Sequence, residues 1–135
     1  MAAFKDAEDL KSIFGGFIAE AVASDDDRFG GTGVVVAYNA TDPNVRFVID
    51  TREAPQPGKR FAYFIDDPNA PKADAEFTAS ADTLDGLYRG DAKVVPLVMT
   101  GKLKVKGDLG KALTLIPALE AVVPRYRAYR ERGNS

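Results

Sequence analysis

The pattern of apolar residues changes to a period of two at Gly33 and keeps it to about residue 80. A period of two places alternate side chains on opposite faces of a β-strand. Turn signals rich in Pro, Gly and Asp interrupt the pattern, leaving four segments: GVVVAYNA, VRFVIDTRE, KRFAYFIDD and DAEFTASA. We therefore predict four consecutive strands that share one apolar face.

Helical spacing precedes these strands and resumes after them. Residues 6–23 place apolar side chains at helical intervals after an acidic first turn, so they predict an amphipathic helix. Gly15 and Gly16 lie in its middle, which indicates either a kink there or the close approach of another backbone. After the strands, TLDGLYR predicts a short helix capped by Asp82, and the segment around Pro96 is either a second short helix or irregular.

A fifth strand is predicted in the stretch MTGKLKVKGDLGKAL. Leu103 and Val105 face one way, and Lys102, Lys104 and Lys106 face the other, so the strand has one buried and one solvated face. The lysines could contact an anionic head group at a membrane, or they could protect an edge strand from further pairing.

Helical spacing starts again at Leu109, and two prolines divide the rest of the chain. Pro117 and Pro124 each suit the first position of a helix, and residues 117–132 predict a basic helical extension with Tyr126 and Tyr129 facing inward. Strands that come first and helices that come later indicate a single α+β domain over residues 1–135. Its fold is predicted to be a five-stranded, mainly antiparallel sheet covered on one face by helices.

The composition removes several kinds of function. The chain has no cysteine and no histidine, so the commonest general base, the commonest zinc ligand and thiol chemistry are missing, and we expect no catalytic centre, no metal and no cofactor. The net charge of −2 disfavours nucleic acid as a partner. No apolar run reaches the roughly 18 residues of a membrane span, and the N-terminus does not look like a secretory signal, so we expect a cytoplasmic protein.

One long run resembles the C-terminal half of the sterol carrier protein type-two family: ADAEFTASADTLDGLYRGDAKVVPLVMTGKLKVKGDLGKALTLIPAL. In that family a strand enters a helix through an acidic residue, and a basic strand between glycines comes after a short second helix. The positions that fit this pattern are Gly101, Lys102, Leu103, Val105, Gly107, Ala112 and Leu113. The resemblance covers residues 30–120, and it implies helices layered on the sheet around an apolar tunnel. Family members bind sterols, fatty acids or fatty acyl-CoA.

Ten apolar residues are the candidate walls of such a tunnel. Four come from strands and six from the later helices: Phe47, Ile49, Phe61, Tyr63, Leu87, Val95, Met99, Leu113, Ile116 and Leu119. Apolar stripes of this kind also form ordinary cores, so the same side chains could simply pack against one another.

The leading hypothesis is a carrier that binds a fatty acid, fatty acyl-CoA or sterol-like lipid without converting it, with an anionic membrane surface as a transient partner. A small α+β enzyme is an alternative, with Tyr63 or Asp50 as acid or base. A third hypothesis is an interaction module without ligand, whose sheet or C-terminal helix forms a homodimer.

Overall fold

The computed structural model describes residues 3–26, 29–54 and 56–132, except the side chain of Ile116. Within these residues, five strands and five helices occur in the order α1 (Ala7–Val22), β1 (Val35–Thr41), β2 (Val45–Asp50), β3 (Ala62–Ile65), β4 (Ala75–Ser80), α2 (Ala81–Arg89), α3 (Val94–Met99), β5 (Lys104–Gly107), α4 (Leu109–Leu113) and α5 (Ile116–Glu131). The predicted order of elements is confirmed, and Pro96 lies within a short helix.

The strands form one sheet in the order β3-β2-β1-β4-β5. Three of the four strand pairs are antiparallel, and the central pair of β1 and β4 is parallel. The predicted five-stranded, mainly antiparallel sheet is therefore confirmed. A tight turn at residues 42–44 joins β1 to β2, whereas the parallel partner of β1 comes only after β2 and β3.

The two faces of the sheet are buried to different extents. On one face, side chains such as Tyr38, Phe47 and Phe77 join a large core with the helices. On the other face of the described sheet, the buried apolar side chains form a small cluster of Val35, Ala37 and Val48, against which the partly buried Phe64, Ala70 and Ala73 pack. The helices therefore cover one face, and any space between sheet and helices lies on that side.

Helix α1 runs without interruption through its two central glycines. Both glycines lie where a side chain of another element comes close. Asp6 caps the helix by accepting a 2.8 Å hydrogen bond from the Asp9 N–H. A Cβ atom at Gly15 would lie 2.9 Å from Cδ1 of Ile65, and one at Gly16 would overlap the hydroxyl of Tyr129. Neither expectation is met: the helix is uninterrupted, and the atoms that come close are the side-chain ends of Ile65 and Tyr129 rather than another backbone.

Two local expectations were wrong. Ser80, not Asp82, caps α2, because its Oγ accepts the Thr83 N–H at 3.1 Å and leaves Asp82 in the first turn. Pro124 does not begin a new helix but lies inside α5. Burial of Tyr126 and Tyr129 after the proline holds that half of α5 against the core, which offsets the backbone hydrogen bond that proline cannot donate.

Gly107 is expected to be the least replaceable residue of β5. Its φ is +91°, and a Cβ there would overlap the backbone carbonyl of Asp74. We expect Gly107→Ala to lower the free energy of unfolding by about 2 kcal/mol, measured by urea denaturation. Gly58→Ala is the matched control, because Gly58 has φ +79° but open space around it. Equal losses in the two variants would contradict the steric part of this prediction.

Candidate functional site

An apolar cavity of about 60 Å³ lies between the sheet and its helices. Strands β1 and β2, the segments that flank the sheet, and helices α1, α2 and α5 all contribute to its wall. Its lining residues are Phe17, Ile18, Ala21, Phe29, Val36, Tyr38, Ile49, Thr51, Phe61, Tyr88, Leu115, Ala118, Leu119 and Val122. The cavity forms because inward residues of the sheet meet three helices that do not close completely over them.

Among the residues that the structure describes, the wall of this cavity has no charged side chain. Its polar side chains are Thr51, Tyr38 and Tyr88, and the Thr51 hydroxyl already donates to the Val34 carbonyl at 2.8 Å. Burial raises the pKa of both tyrosines, that of Tyr88 strongly, and each interacts with the other's hydroxyl. Both therefore stay neutral at ordinary pH. The cavity suits alkyl groups or a neutral polar group, whereas an unpaired charge there would be costly.

A second, larger space opens beside the cavity. It is a groove of about 460 Å³ between the α2–α3 region and α5, lined by Leu87, Tyr88, Gly90, Ala92, Lys93, Val94, Val95, Leu119, Glu120, Val123 and Pro124. Tyr88 and Leu119 belong to the walls of both spaces. These two side chains therefore separate the inner cavity from the groove.

The ten predicted wall residues lie in several places. Ile49, Phe61 and Leu119 line the cavity, and Leu87, Val95 and again Leu119 line the groove. Phe47 is buried in the core beneath α1. The other three with described side chains, Tyr63, Met99 and Leu113, are exposed and belong to neither wall, and the side chain of Ile116 lies outside the described part of the structure. That any of these ten residues contacts a ligand remains a prediction.

The structure adds cavity residues that the sequence did not single out. Phe17 and Ile18 come from α1, and Leu115, Ala118 and Val122 come from α5 and the residue before it. The α5 residues were missed because helical spacing was counted continuously from Leu109. The chain breaks between α4 and α5 at residues 114–115, so the helical repeat of α5 does not continue that of α4 and different residues face inward. Counting from Leu115 through the proline would have found this face.

The proposed acid and base of the enzyme alternative do not reach the cavity wall. The carboxylate of Asp50 accepts bonds from Arg52 Nε at 3.0 Å and Nη2 at 2.7 Å, and this partner lowers the pKa of Asp50. Tyr63 is 37% exposed.

Among the described residues, no group of three or more Asp or Glu side chains is arranged to hold a metal ion. Nor does any helix in those parts of the chain combine the length and apolar character that crossing a membrane requires.

A sheet covered on one face by helices, with an apolar cavity between the layers, defines a two-layer α+β domain with space between its layers. The sequence profile of the SCP-2 sterol transfer family matches residues 18–120. The chain belongs to this family. The resemblance stated from the sequence is thereby confirmed, and the family supports lipid or sterol binding as its general activity. A search of curated protein sequences gave no significant match.

Solved structures share the fold at low sequence identity. Sterol carrier protein 2 from Yarrowia lipolytica, in its apo form, is 22% identical with a TM-score of 0.64, and the match covers 90% of this chain and 98% of that one. The sterol carrier protein domain 2 of Helicoverpa armigera is 18% identical with a TM-score of 0.67, covering 91% and 96%. The sec-alkylsulfatase Pisa1 from Pseudomonas sp. matches 73% of this chain over 15% of its own, at 19% identity and a TM-score of 0.54.

Proposed function

We propose that the protein binds one long-chain lipid between its sheet and helices and carries it without chemical conversion. The observation that supports this most is the apolar cavity beneath α5 and its contact, through Tyr88 and Leu119, with the larger groove. The groove alone falls in the usual range of about 300–1,000 Å³ for ligand sites, whereas the cavity is far smaller. The ligand therefore lies mainly in the groove, with its apolar end in the cavity.

The uncharged wall of the cavity sets the direction in which the ligand binds. The chain end enters the cavity, and the charged group of a fatty acid or acyl-CoA stays at the groove, where Lys93 and Glu120 line the wall. Each methylene that leaves water contributes about 0.8 kcal/mol, so chain length dominates the affinity. The ligand class is a fatty acid, a fatty acyl-CoA or a sterol-like lipid.

The binding test uses delipidated protein and a fluorescent long-chain fatty acid. We expect saturable binding of one molecule per chain, and displacement by unlabelled fatty acid that improves as the chain lengthens. Native mass spectrometry of the protein purified from cells should show a lipid that organic extraction removes. No co-purifying lipid together with no binding of the probe would contradict the proposal.

The alternatives from the sequence make different predictions. An enzyme would convert a bound hydrophobic substrate and lose turnover in Asp50→Asn or Tyr63→Phe. An interaction module would show assembly that increases with protein concentration and no lipid binding. The cytoplasmic location and the transient contact with an anionic membrane remain predictions.

A further inference from the structure

Two tyrosines lie side by side in the wall of the apolar cavity. Tyr38 comes from β1 and Tyr88 from α2, and their rings meet edge to face with centroids 5.8 Å apart. Both also line a smaller space of about 10 Å³ beside the cavity, and the other wall residues of that space are apolar: Phe14, Ile18, Phe47 and Leu84. We call Tyr38 and Tyr88 the tyrosine pair.

The hydroxyls of the tyrosine pair lack a full set of hydrogen-bond partners. Each phenol hydroxyl donates one proton and can also accept. The two hydroxyls interact with each other, and this contact uses one of the two protons. Among the described residues, neither hydroxyl donates to a carbonyl or a carboxylate, whereas the hydroxyl of the neighbouring Tyr126 donates to Asp85 at 2.6 Å. One proton of the pair is therefore without an acceptor, which is costly for a group removed from water.

The rest of the cavity wall does not supply the missing acceptor. The Thr51 hydroxyl donates to the Val34 carbonyl and contacts the Thr32 hydroxyl, and the other wall residues are apolar. A carboxylate could accept the proton, but it would meet no cation among the described residues of the wall and would be buried unpaired. The acceptor that suits this wall is therefore a neutral oxygen on the ligand.

We propose that Tyr38 and Tyr88 bind a hydroxyl group at the end of the lipid chain that enters the cavity. The inference rests on the proposed function, which places the chain end there. Such a hydroxyl accepts the free proton of the tyrosine pair and donates its own proton to a phenol oxygen. The protein therefore selects long-chain lipids with a hydroxyl far from their charged group over chains that end in a methyl group.

The space beside the tyrosine pair is large enough for one added oxygen. A water-sized group needs roughly 10–15 Å³. The smaller space, of about 10 Å³, lies at that limit, and the cavity, of about 60 Å³, is several times larger. A terminal hydroxyl and the methylenes next to it therefore fit without displacement of a side chain.

The test compares sixteen-carbon fatty acids that differ in one hydroxyl group, as competitors of a fluorescent fatty acid bound to the delipidated protein. We expect the acid with a hydroxyl on its last carbon to displace the probe about tenfold more effectively than palmitic acid, as one additional hydrogen bond contributes. The acid with its hydroxyl beside the carboxyl group should compete like palmitic acid, because that end of the chain stays at the groove.

The variant Tyr38→Phe/Tyr88→Phe removes both hydroxyls and keeps both rings. The order of the two acids should then reverse, because the terminal hydroxyl would be buried without a partner. Tyr126→Phe is the matched control, since it removes a buried hydroxyl of the same core that lies outside the cavity wall. It should keep the wild-type order. A thermal unfolding curve for each variant checks that it is folded at the temperature of the titration.

Equal competition by palmitic acid and its terminal-hydroxyl analogue in the wild type would overturn this inference and leave the proposed function standing. That result is expected if a water molecule already satisfies the tyrosine pair. A preference that survives in Tyr38→Phe/Tyr88→Phe, or that Tyr126→Phe abolishes equally, would also overturn it. If the probe does not bind at all, the proposed function itself fails, and this inference fails with it.

Discussion

Asp85→Ala is expected to destabilise the protein by about 3–5 kcal/mol. Asp85 is buried on α2 and accepts a 2.6 Å hydrogen bond from the Tyr126 hydroxyl and a 2.8 Å bond from Arg89 Nε. The buried guanidinium of Arg130 lies 3.8 Å from the same carboxylate. Removing the carboxylate leaves Arg130 buried without its anion and Tyr126 without its acceptor. Urea denaturation of purified protein measures the loss.

Tyr126→Phe is the matched control for this prediction. It removes one hydrogen bond but leaves Asp85 beside Arg89 and Arg130, so we expect a loss of only about 1–3 kcal/mol. A loss for Asp85→Ala no larger than that for Tyr126→Phe would contradict the view that this carboxylate holds a buried charge. Arg130 also lies over the Phe4 ring at 5.1 Å, so the same cluster ties the N-terminal segment to α5.

The pH dependence of stability gives a second test of the same cluster. Burial, and then the hydrogen bond to Asp85, raise the pKa of Tyr126 far above its ordinary value. The unfolded chain therefore releases this proton from about pH 10 upward while the native protein keeps it, so stability is full below that pH and falls above it. Tyr126→Phe should lose stability less steeply in this range, and an unchanged slope would contradict the assignment.

Leu119→Trp is expected to weaken binding of a long-chain fatty acid about 50-fold. The indole is larger than the leucine side chain that separates the cavity from the groove, so it should exclude the end of the lipid chain. Loss of about three buried methylenes, at about 0.8 kcal/mol each, gives this factor. Fluorescence titration with the fatty acid in the absence of vesicles measures it.

Leu109→Trp is the matched control, because it makes the same replacement at an exposed leucine of the neighbouring helix that is not among the predicted wall residues. It should bind the fatty acid like the wild type. Leu119→Ala should retain binding, since it widens the connection between groove and cavity. If Leu119→Trp binds as tightly as the wild type, or if Leu109→Trp is weakened equally, the cavity is not where the chain end lies.

Much of the fold was predictable because its signals are local. Apolar residues repeat every two positions in four segments and at helical intervals in the segments around them. These repeats predict the type and order of the elements without any knowledge of tertiary contacts. Local signals fail where tertiary packing decides, as at Pro124: the buried Tyr126 and Tyr129 keep α5 continuous although its sequence indicates a break. Likewise, the tight space at Gly15 and Gly16 is visible only once the side chains of Ile65 and Tyr129 are in place.

The site was predicted less completely than the fold. Periodicity shows which side chains face inward, and in this way it selected Ile49, Phe61 and Leu119, which line the cavity. It does not show where inward side chains fail to meet, because that depends on the separation of whole elements. Met99 was expected to face inward because it is apolar, but its side chain is 82% exposed. On a short helix, the sequence does not distinguish a buried apolar residue from an exposed one.

The most direct test is a nuclear magnetic resonance measurement of the delipidated protein with a long-chain fatty acid labelled at its terminal methyl group. We expect nuclear Overhauser contacts from that methyl to the rings of Phe17 and Tyr88, and contacts from the carboxyl end of the chain to the groove beside Lys93. Saturating fatty acid with contacts confined to the outer surface of the protein, or a terminal methyl that remains in solvent, would contradict binding between sheet and helices.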